Sequence, residues 1–322
     1  MYLMCTGRIF YQEYRKIVLI RKHQTMYTER RWFIVKNGQP ADNVLHTRYE
    51  KYEQILKNLT IMSDMFMRNV FRKTECTEYV LQVIMKKEGL KVLEQFLQKD
   101  FKNLQGRSAI MDCVATDTDG NYFNVEIQQA NEGASPKRAR YHSGLMDMNI
   151  LNPGQDFDEL PESYVIFITV CDSLGYGLPI YHIDREIMEN SRGFPDGSHI
   201  VYVNSSKQEN TELGRLMHDF HCKSADEMYS QVLAERVREL KETREGVDSM
   251  CREMEQIYKE GIEEGIEKGI EKGIEKGEMK KAKEASFILA DMGLPLEQIA
   301  RAFHVDVSLI QEWIAENIST AK

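Results

Sequence analysis

Ala109-Ile-Met-Asp112-Cys-Val-Ala115, Thr116-Asp-Thr-Asp-Gly-Asn121 and Tyr122-Phe-Asn-Val-Glu126-Ile-Gln128 follow one another without a break, and their reading decides the fold. Two runs rich in apolar and β-branched residues flank an Asp-Gly pair, which predicts a β-hairpin. Asp112 falls on the first strand, and Glu126 and Gln128 fall on the second, in runs that are otherwise apolar or small. Acidic groups inside a buried sheet need a partner or a purpose.

Register decides what the two acids can do. A three-residue Thr118-Asp119-Gly120 loop with a left-handed glycine pairs Asp117 with Asn121 and sets Asp112 opposite Glu126, both on one face. A two-residue Asp119-Gly120 turn shifts the pairing by one and sends the acids to opposite faces. Two carboxylates a few ångströms apart repel unless a proton or cation lies between them, and hard oxygen donors of this kind suit magnesium. The competing reading is an exposed hairpin edge with solvated acids.

Upstream, the first ~45 residues are locally basic, with Arg15, Lys16, Arg21, Lys22, Arg30 and Arg31, and show no sustained period. From Ile55 to about Leu104 the positions Phe71, Val80, Val83, Ile84, Val92, Leu93, Phe96 and Leu97 recur at three- and four-residue steps, which predicts amphipathic helices. Downstream, residues 136–151 read as a helix. Residues 163–170, 178–183 and 199–204 read as strands, and the chain beyond Thr211 reads as helical again. The expected fold is therefore α/β, a mixed central sheet flanked by helices.

From Glu260 to Glu278 a four-residue repeat places Gly261, Gly265, Gly269, Gly273 and Gly277 beside Ile262, Ile266, Ile270 and Ile274, with Glu and Lys between. Each glycine costs a helix roughly 1 kcal/mol against alanine, more than the few tenths returned by pairs such as Glu264 with Lys268. A solvated spacer or a helix that needs a partner surface follows. The last residues suggest three short helices spaced like a helix-turn-helix. The would-be reading helix carries Glu312 and Glu316 and no Lys or Arg, which favours packing or self-association over DNA reading. The expected organisation is a basic extension over 1–50, a catalytic-type domain over 51–250, a repeat helix or linker over 251–280 and a small helical module over 281–322.

The 322 residues carry 42 Lys+Arg against 51 Asp+Glu, a net charge of -9, so any nucleic-acid contact must come from a local basic patch. The six cysteines are widely spaced, as in a reduced cytosolic protein rather than a disulfide framework. Mean hydropathy is -0.48. The longest apolar run, residues 164–171, is far short of the roughly 18–20 needed to cross a bilayer. The opening MYLMCTGR lacks the pattern of a secretory signal, so a cytoplasmic protein without membrane contact is expected. No phosphate-cradling loop ending in Lys-Ser/Thr is present.

Taken in order, several pieces resemble the PD-(D/E)XK nuclease-like transposases, also called recombination-promoting nucleases. They are Ser63-Asp64-Met-Phe-Met67, Met111-Asp112, Val125-Glu126-Ile127-Gln128, Arg140-Tyr141-His142, Phe167-Ile-Thr169 with Asp172, Gly197 to Asn204 and Leu216-Met-His-Asp-Phe220. The resemblance covers roughly residues 59–241. It implies a restriction-endonuclease-like core with an all-helical C-terminal tail, and a DNA endonuclease of the mobile-element type using magnesium or another divalent cation. It further implies Asp112 and Glu126 as metal ligands, with the Ile127 carbonyl as a third.

Where the wider superfamily has a lysine two positions after the glutamate, this chain has Gln128, which can orient a water or phosphate oxygen but brings no charge. Lys137, Arg138 or Arg140 on the following helix are candidates for the missing charge, and Tyr141 for positioning phosphate. Asp64 either extends the metal site or, with Ser63, caps its helix. Partners expected are DNA and further copies of the chain through the C-terminal helical region. A catalytically silent DNA-binding or assembly protein, and an RNA nuclease, are the alternatives. His218, His221 and Cys222 share a helix and read as packing residues, with zinc binding as the bolder alternative. Asp172 reads as a turn-stabilising side chain.

Overall fold

A computed structural model describes residues 41–103, 106–129 and 131–320. Most of the basic extension lies outside the described residues. The expected boundary at residue 50 falls inside a helix, α1 (Ala41–Asn58), whose Tyr52 and Leu56 are buried. Two short amphipathic helices follow, α2 (Asp64–Phe71) and α3 (Thr74–Met85). A six-stranded sheet then runs β1 (Val92–Phe101), β2 (Ala109–Asp117), β3 (Tyr122–Gln128), β4 (Ser163–Thr169), β5 (Ile180–Ile183) and β8 (Ser198–Asn204). The two-residue strands β6 (Glu186–Ile187) and β7 (Arg192–Gly193) form a separate ribbon.

Strand order is β1-β2-β3-β4-β8-β5. The outer pairs β1/β2, β2/β3 and β8/β5 are antiparallel, whereas β3/β4 and β4/β8 are parallel. The parallel connection from β3 to β4 carries the crossover helix α4 (Pro136–Ile150), as a parallel pair requires. This is the mixed sheet flanked by helices expected of a restriction-endonuclease-like core. The central strands are buried almost end to end because helices cover both faces. Val114, Val165, Phe167 and Tyr202 meet Leu145 and Met146 of α4 in one apolar cluster.

Residues 92–101 correct a sequence expectation, because they form edge strand β1 and not a helix. Val92, Leu93, Phe96 and Leu97 mimic helical spacing only because an edge strand does not have to hide both faces. Leu93 and Phe96 are exposed, while Phe101 is buried. Gln95, Leu97 and Lys99 are turned partly inward, and two of them are polar, so no apolar alternation marks the strand.

Beyond the sheet, α5 (Glu212–His221), α6 (Gln231–Glu242), α7 (Arg244–Asp291), α8 (Leu296–Phe303) and α9 (Val307–Thr320) complete the chain. The chain divides into two compact units at Cys251/Arg252. The glycine repeat lies within the 48-residue α7 as continuous helix, with Ile262, Ile266 and Ile274 exposed. The expected three short terminal helices become the end of α7 plus α8 and α9, closed around Ile299, Ala300, Ile310 and Trp313. Among the described residues no helix is long and apolar enough to cross a membrane.

Candidate active site

Asp117 sets the register of the β2–β3 hairpin. Its buried carboxylate accepts from Asp119 N at 3.0 Å, Asn121 N at 2.8 Å and Asn121 Nδ2 at 2.8 Å, and Gly120 N donates to Asp117 O. Gly120 has φ +87°, a left-handed conformation that costs a residue with a Cβ 1–2 kcal/mol. The loop is thus the three-residue form. The observed pairs Cys113–Val125, Val114–Asn124, Ala115–Phe123 and Thr116–Tyr122, continued by one step, place Asp112 opposite Glu126.

The two acids meet at the end of the hairpin ladder. Asp112 N faces Glu126 Oε1 at 3.4 Å, and Ile127 N faces Asp112 Oδ2 at 3.4 Å. The N–H and C=O of one strand residue point the same way, so the Ile127 carbonyl is also directed toward β2, beside Asp112. Burial, then the Glu126 carboxylate, then Asp64 push the Asp112 carboxyl up to about 7. The Ile127 N–H and Arg138 oppose that rise and do not cancel it.

Glu126 is fully buried, and helix α4 supplies its cover. Ser135 caps α4 by accepting from Arg138 N, with Pro136 in the first turn. This start phases Arg138 and His142 onto one helix face, four residues apart. Arg138 Nη2 lies 3.3 Å from Glu126 Oε2, its Nη1 donates to Gly133 O at 2.9 Å, and its Nε reaches His142 Nε2 at 3.3 Å. His142 Nδ1 lies 3.5 Å from Glu126 Oε1. Asn124 Nδ2 donates to the same oxygen at 3.1 Å. The Phe167 ring forms the floor under Arg138 and His142.

The remaining candidates separate by face. Gln128 follows Glu126 on the same side of β3, and its amide rests on Gly133, where a Cβ would collide with Gln128 Oε1. Lys137 and Arg140 are exposed on the outer side of α4. Tyr141 donates to Arg107 O and accepts from Asn103 Nδ2, which ties α4 to the β1–β2 connection. Asp64, in the first turn of α2, is close enough to raise Asp112 and pairs with Arg68 at 3.4 Å. Ser63 occupies the N-cap position but makes no side-chain cap bond. Of the three cationic candidates on α4, only Arg138 meets an acid of the pair.

Two members of this cluster carry no role in the sequence: Asn124, and His142, which only closes the Arg140-Tyr141-His142 stretch of the family resemblance. Asn124 could have been found as the same-face neighbour two residues before Glu126. His142 needs the phase of α4, which only its cap fixes. Asn124 Oδ1 is buried without a hydrogen-bond partner.

Asp112, Glu126 and the Ile127 carbonyl form a set of hard oxygen donors whose negative charge Arg138 offsets only in part. That chemistry fits a divalent cation of the magnesium or manganese class. Elsewhere, Asp172 accepts from the N–H groups of Leu174, Gly175 and Gly177 and from the Tyr181 hydroxyl, which makes it a turn-stabilising residue. On α5, His218, Asp219 and Cys222 offer possible metal ligands within 4.8 Å of one another. His221 turns away from them to Ser205 Oγ at 2.9 Å.

No curated protein and no solved structure matches the chain. Residues 77–223 match the profile described as PD-(D/E)XK nuclease family transposase. The matched stretch contains Asp112, Glu126, Gln128 and all of α4, and leaves Asp64 outside. A PD-(D/E)XK nuclease family transposase domain is thus matched over residues 77–223, from within α3 to just past α5.

Proposed function

We propose that the α/β domain is a magnesium-dependent DNA endonuclease of the recombination-promoting type, acting in the cytoplasm. The observation that carries this reading is the convergence of Asp112 and Glu126 across the hairpin, with the Asp112 carboxyl held up to about 7 by burial and by its acidic neighbours. Buried like charges are costly and call for a cation. Asp112, Glu126 and the Ile127 carbonyl would hold it.

When bound, the cation supplies Lewis-acid stabilisation of the phosphodiester and a water of lowered pKa. The chain's own residues set the stage for that chemistry. Arg138 and Asn124 fix the two oxygens of Glu126, so the carboxylate keeps one orientation. Gln128 presents an amide that can donate to a phosphate oxygen or orient water. Lys137 and Arg140, exposed on α4, are read as phosphate contacts. Asp64 adds negative charge from α2. The tail is read as the element of self-assembly, because α7 carries exposed isoleucines on a glycine-rich helix that is expensive to keep without a cover.

Nicking of supercoiled plasmid tests the reading. Cleavage should require Mg²⁺ and disappear in Asp112→Ala and Glu126→Ala. Cleavage at wild-type rate in both variants would reject the site. A protein that binds DNA but never cuts it would favour the silent assembly alternative, and parallel RNA digests decide the sugar.

A further inference from the structure

Helix α5 ends in a cluster that the nuclease reading does not use. His218, Asp219 and Cys222 lie in its last turn and C-cap. Residues four apart share a helix face, and the residue one step on reaches the same end at the cap. The sequence pattern suggested His218, His221 and Cys222 as a set, but the structure substitutes Asp219 for His221.

The separations are informative. His218 Nδ1 lies 3.4 Å from Cys222 Sγ and 3.5 Å from Asp219 Oδ1. The nitrogen–oxygen separation is too long for a hydrogen bond of good geometry. A tetrahedral zinc with ordinary Zn–S, Zn–N and Zn–O bonds has ligand-to-ligand edges of about 3.6 Å for sulfur to nitrogen and about 3.4 Å for nitrogen to oxygen. Two edges are thus close to coordination spacing, and the third, Cys222 Sγ to Asp219, lies within 4.8 Å. Cys222 Sγ is also 4.0 Å from His218 Nε2 and donates to His218 O at 3.3 Å, so the thiol lies beside the ring, and the partly exposed imidazole has to turn to present Nδ1 to both donors.

The surroundings hold the donors in place. Asp219 is buried, and its two oxygens accept from Tyr229 N at 2.8 Å and Ser230 N at 2.7 Å. Such outer bonds fix the orientation of a ligating carboxylate while leaving lone pairs on Oδ1. The Tyr229 ring packs against the His218 ring with centroids 4.9 Å apart. The His218 side chain is 35% exposed, so water can reach the open side and complete four-coordination. The thiol and imidazole are borderline-soft donors, unlike the all-oxygen set at Asp112 and Glu126.

We infer that His218 Nδ1, Asp219 Oδ1 and Cys222 Sγ form a second metal site, selective for zinc-like cations over magnesium, with one position open to water.

The test uses the full chain, stripped by chelator and then titrated with Zn²⁺ or Co²⁺ alone. The expected result is about one zinc ion retained per chain after desalting. Cobalt should give visible d–d bands of tetrahedral geometry and a near-ultraviolet thiolate-to-cobalt band. Both should be lost in His218→Ala and Cys222→Ser and kept in His221→Ala and Asp112→Asn. His218 is partly exposed, so His218→Ala decides the matter if Cys222→Ser fails to fold by circular dichroism. No tight zinc in the wild type, or cobalt bands unchanged in His218→Ala, would overturn the site and leave a thiol–imidazole contact only. Because Asp112→Asn is a separate arm, loss of zinc there alone would also reject this assignment without touching the nuclease reading.

Discussion

The main-chain N–H of Asp112 points at Glu126 Oε1 across 3.4 Å, and the neighbour of Glu126, Ile127, points its own N–H at Asp112 Oδ2 across the same distance. The two acids are thereby joined by backbone-to-side-chain contacts as well as by proximity. Their mutual repulsion is held in by the strand pairing.

Neutralising one acid should uncouple stability from activity. Asp112→Asn removes a charge that burial, Glu126 and Asp64 all oppose. It should raise stability of the metal-free protein at pH 8 by about 1–2 kcal/mol, measured by urea denaturation. It should also lower Mg²⁺-dependent cleavage by at least about 100-fold. A destabilised Asn variant would mean that Asp112 is a structural acid.

The pH dependence has a definite sign. With its folded pKa raised to about 7 from the ordinary 3.8, Asp112 binds more protons in the native state than in the unfolded chain between those limits. Its contribution therefore makes the metal-free protein less stable as pH rises across that window. Cation binding competes with the same proton. The rise in melting temperature on adding Mg²⁺ should be larger at pH 8 than at pH 6, which differential scanning fluorimetry can read. An equal rise at both would exclude Asp112 as a ligand.

Arg138→Ala leaves Glu126 fully buried with Asn124 and His142 as its remaining side-chain partners. A loss on the order of 2–3 kcal/mol is expected, below the full cost of stripping a buried ion pair. Arg140→Ala, exposed on the outer side of the same helix, should change stability by less than about 0.5 kcal/mol. Equal losses in the two variants, compared by chemical denaturation, would contradict the assigned phase of α4.

Gly120→Ala probes the register. A Cβ there meets open space, so the cost comes from the φ of +87° alone and should be about 1–2 kcal/mol. Cleavage by the folded fraction should survive, since Asp117 still clasps the loop. A fall in cleavage far beyond the loss of folded protein would indicate a slipped hairpin.

Sequence carried the hairpin well, because two apolar, β-branched-rich runs and the Asp-Gly pair between them act locally, and it left the register to the loop, which the Asp117 carboxylate fixes. It also marked residues 163–170 as a buried strand, since a continuous apolar run such as 164–168 has to be covered on both faces, but it held no strand order. It misread β1, where Leu93 and Phe96 sit on an edge and need not alternate with polar residues. It left Arg138 level with Lys137 and Arg140, because the phase of α4 depends on the Ser135 cap and on packing over Phe167. The roles of Asn124 and His142 stayed hidden for the same reason, being defined by a contact between strand and crossover helix. The zinc-type cluster was half legible, since the spacing marked His218 and Cys222 but could not say which way His221 or Asp219 would turn.

Crystals soaked in Mn²⁺ and measured at the manganese edge test the central claim most directly. The expected result is an anomalous peak within about 2.2 Å of Asp112 Oδ, Glu126 Oε and the Ile127 carbonyl, absent in Asp112→Asn. Manganese bound only elsewhere in the chain, with no peak between those two carboxylates, would contradict it.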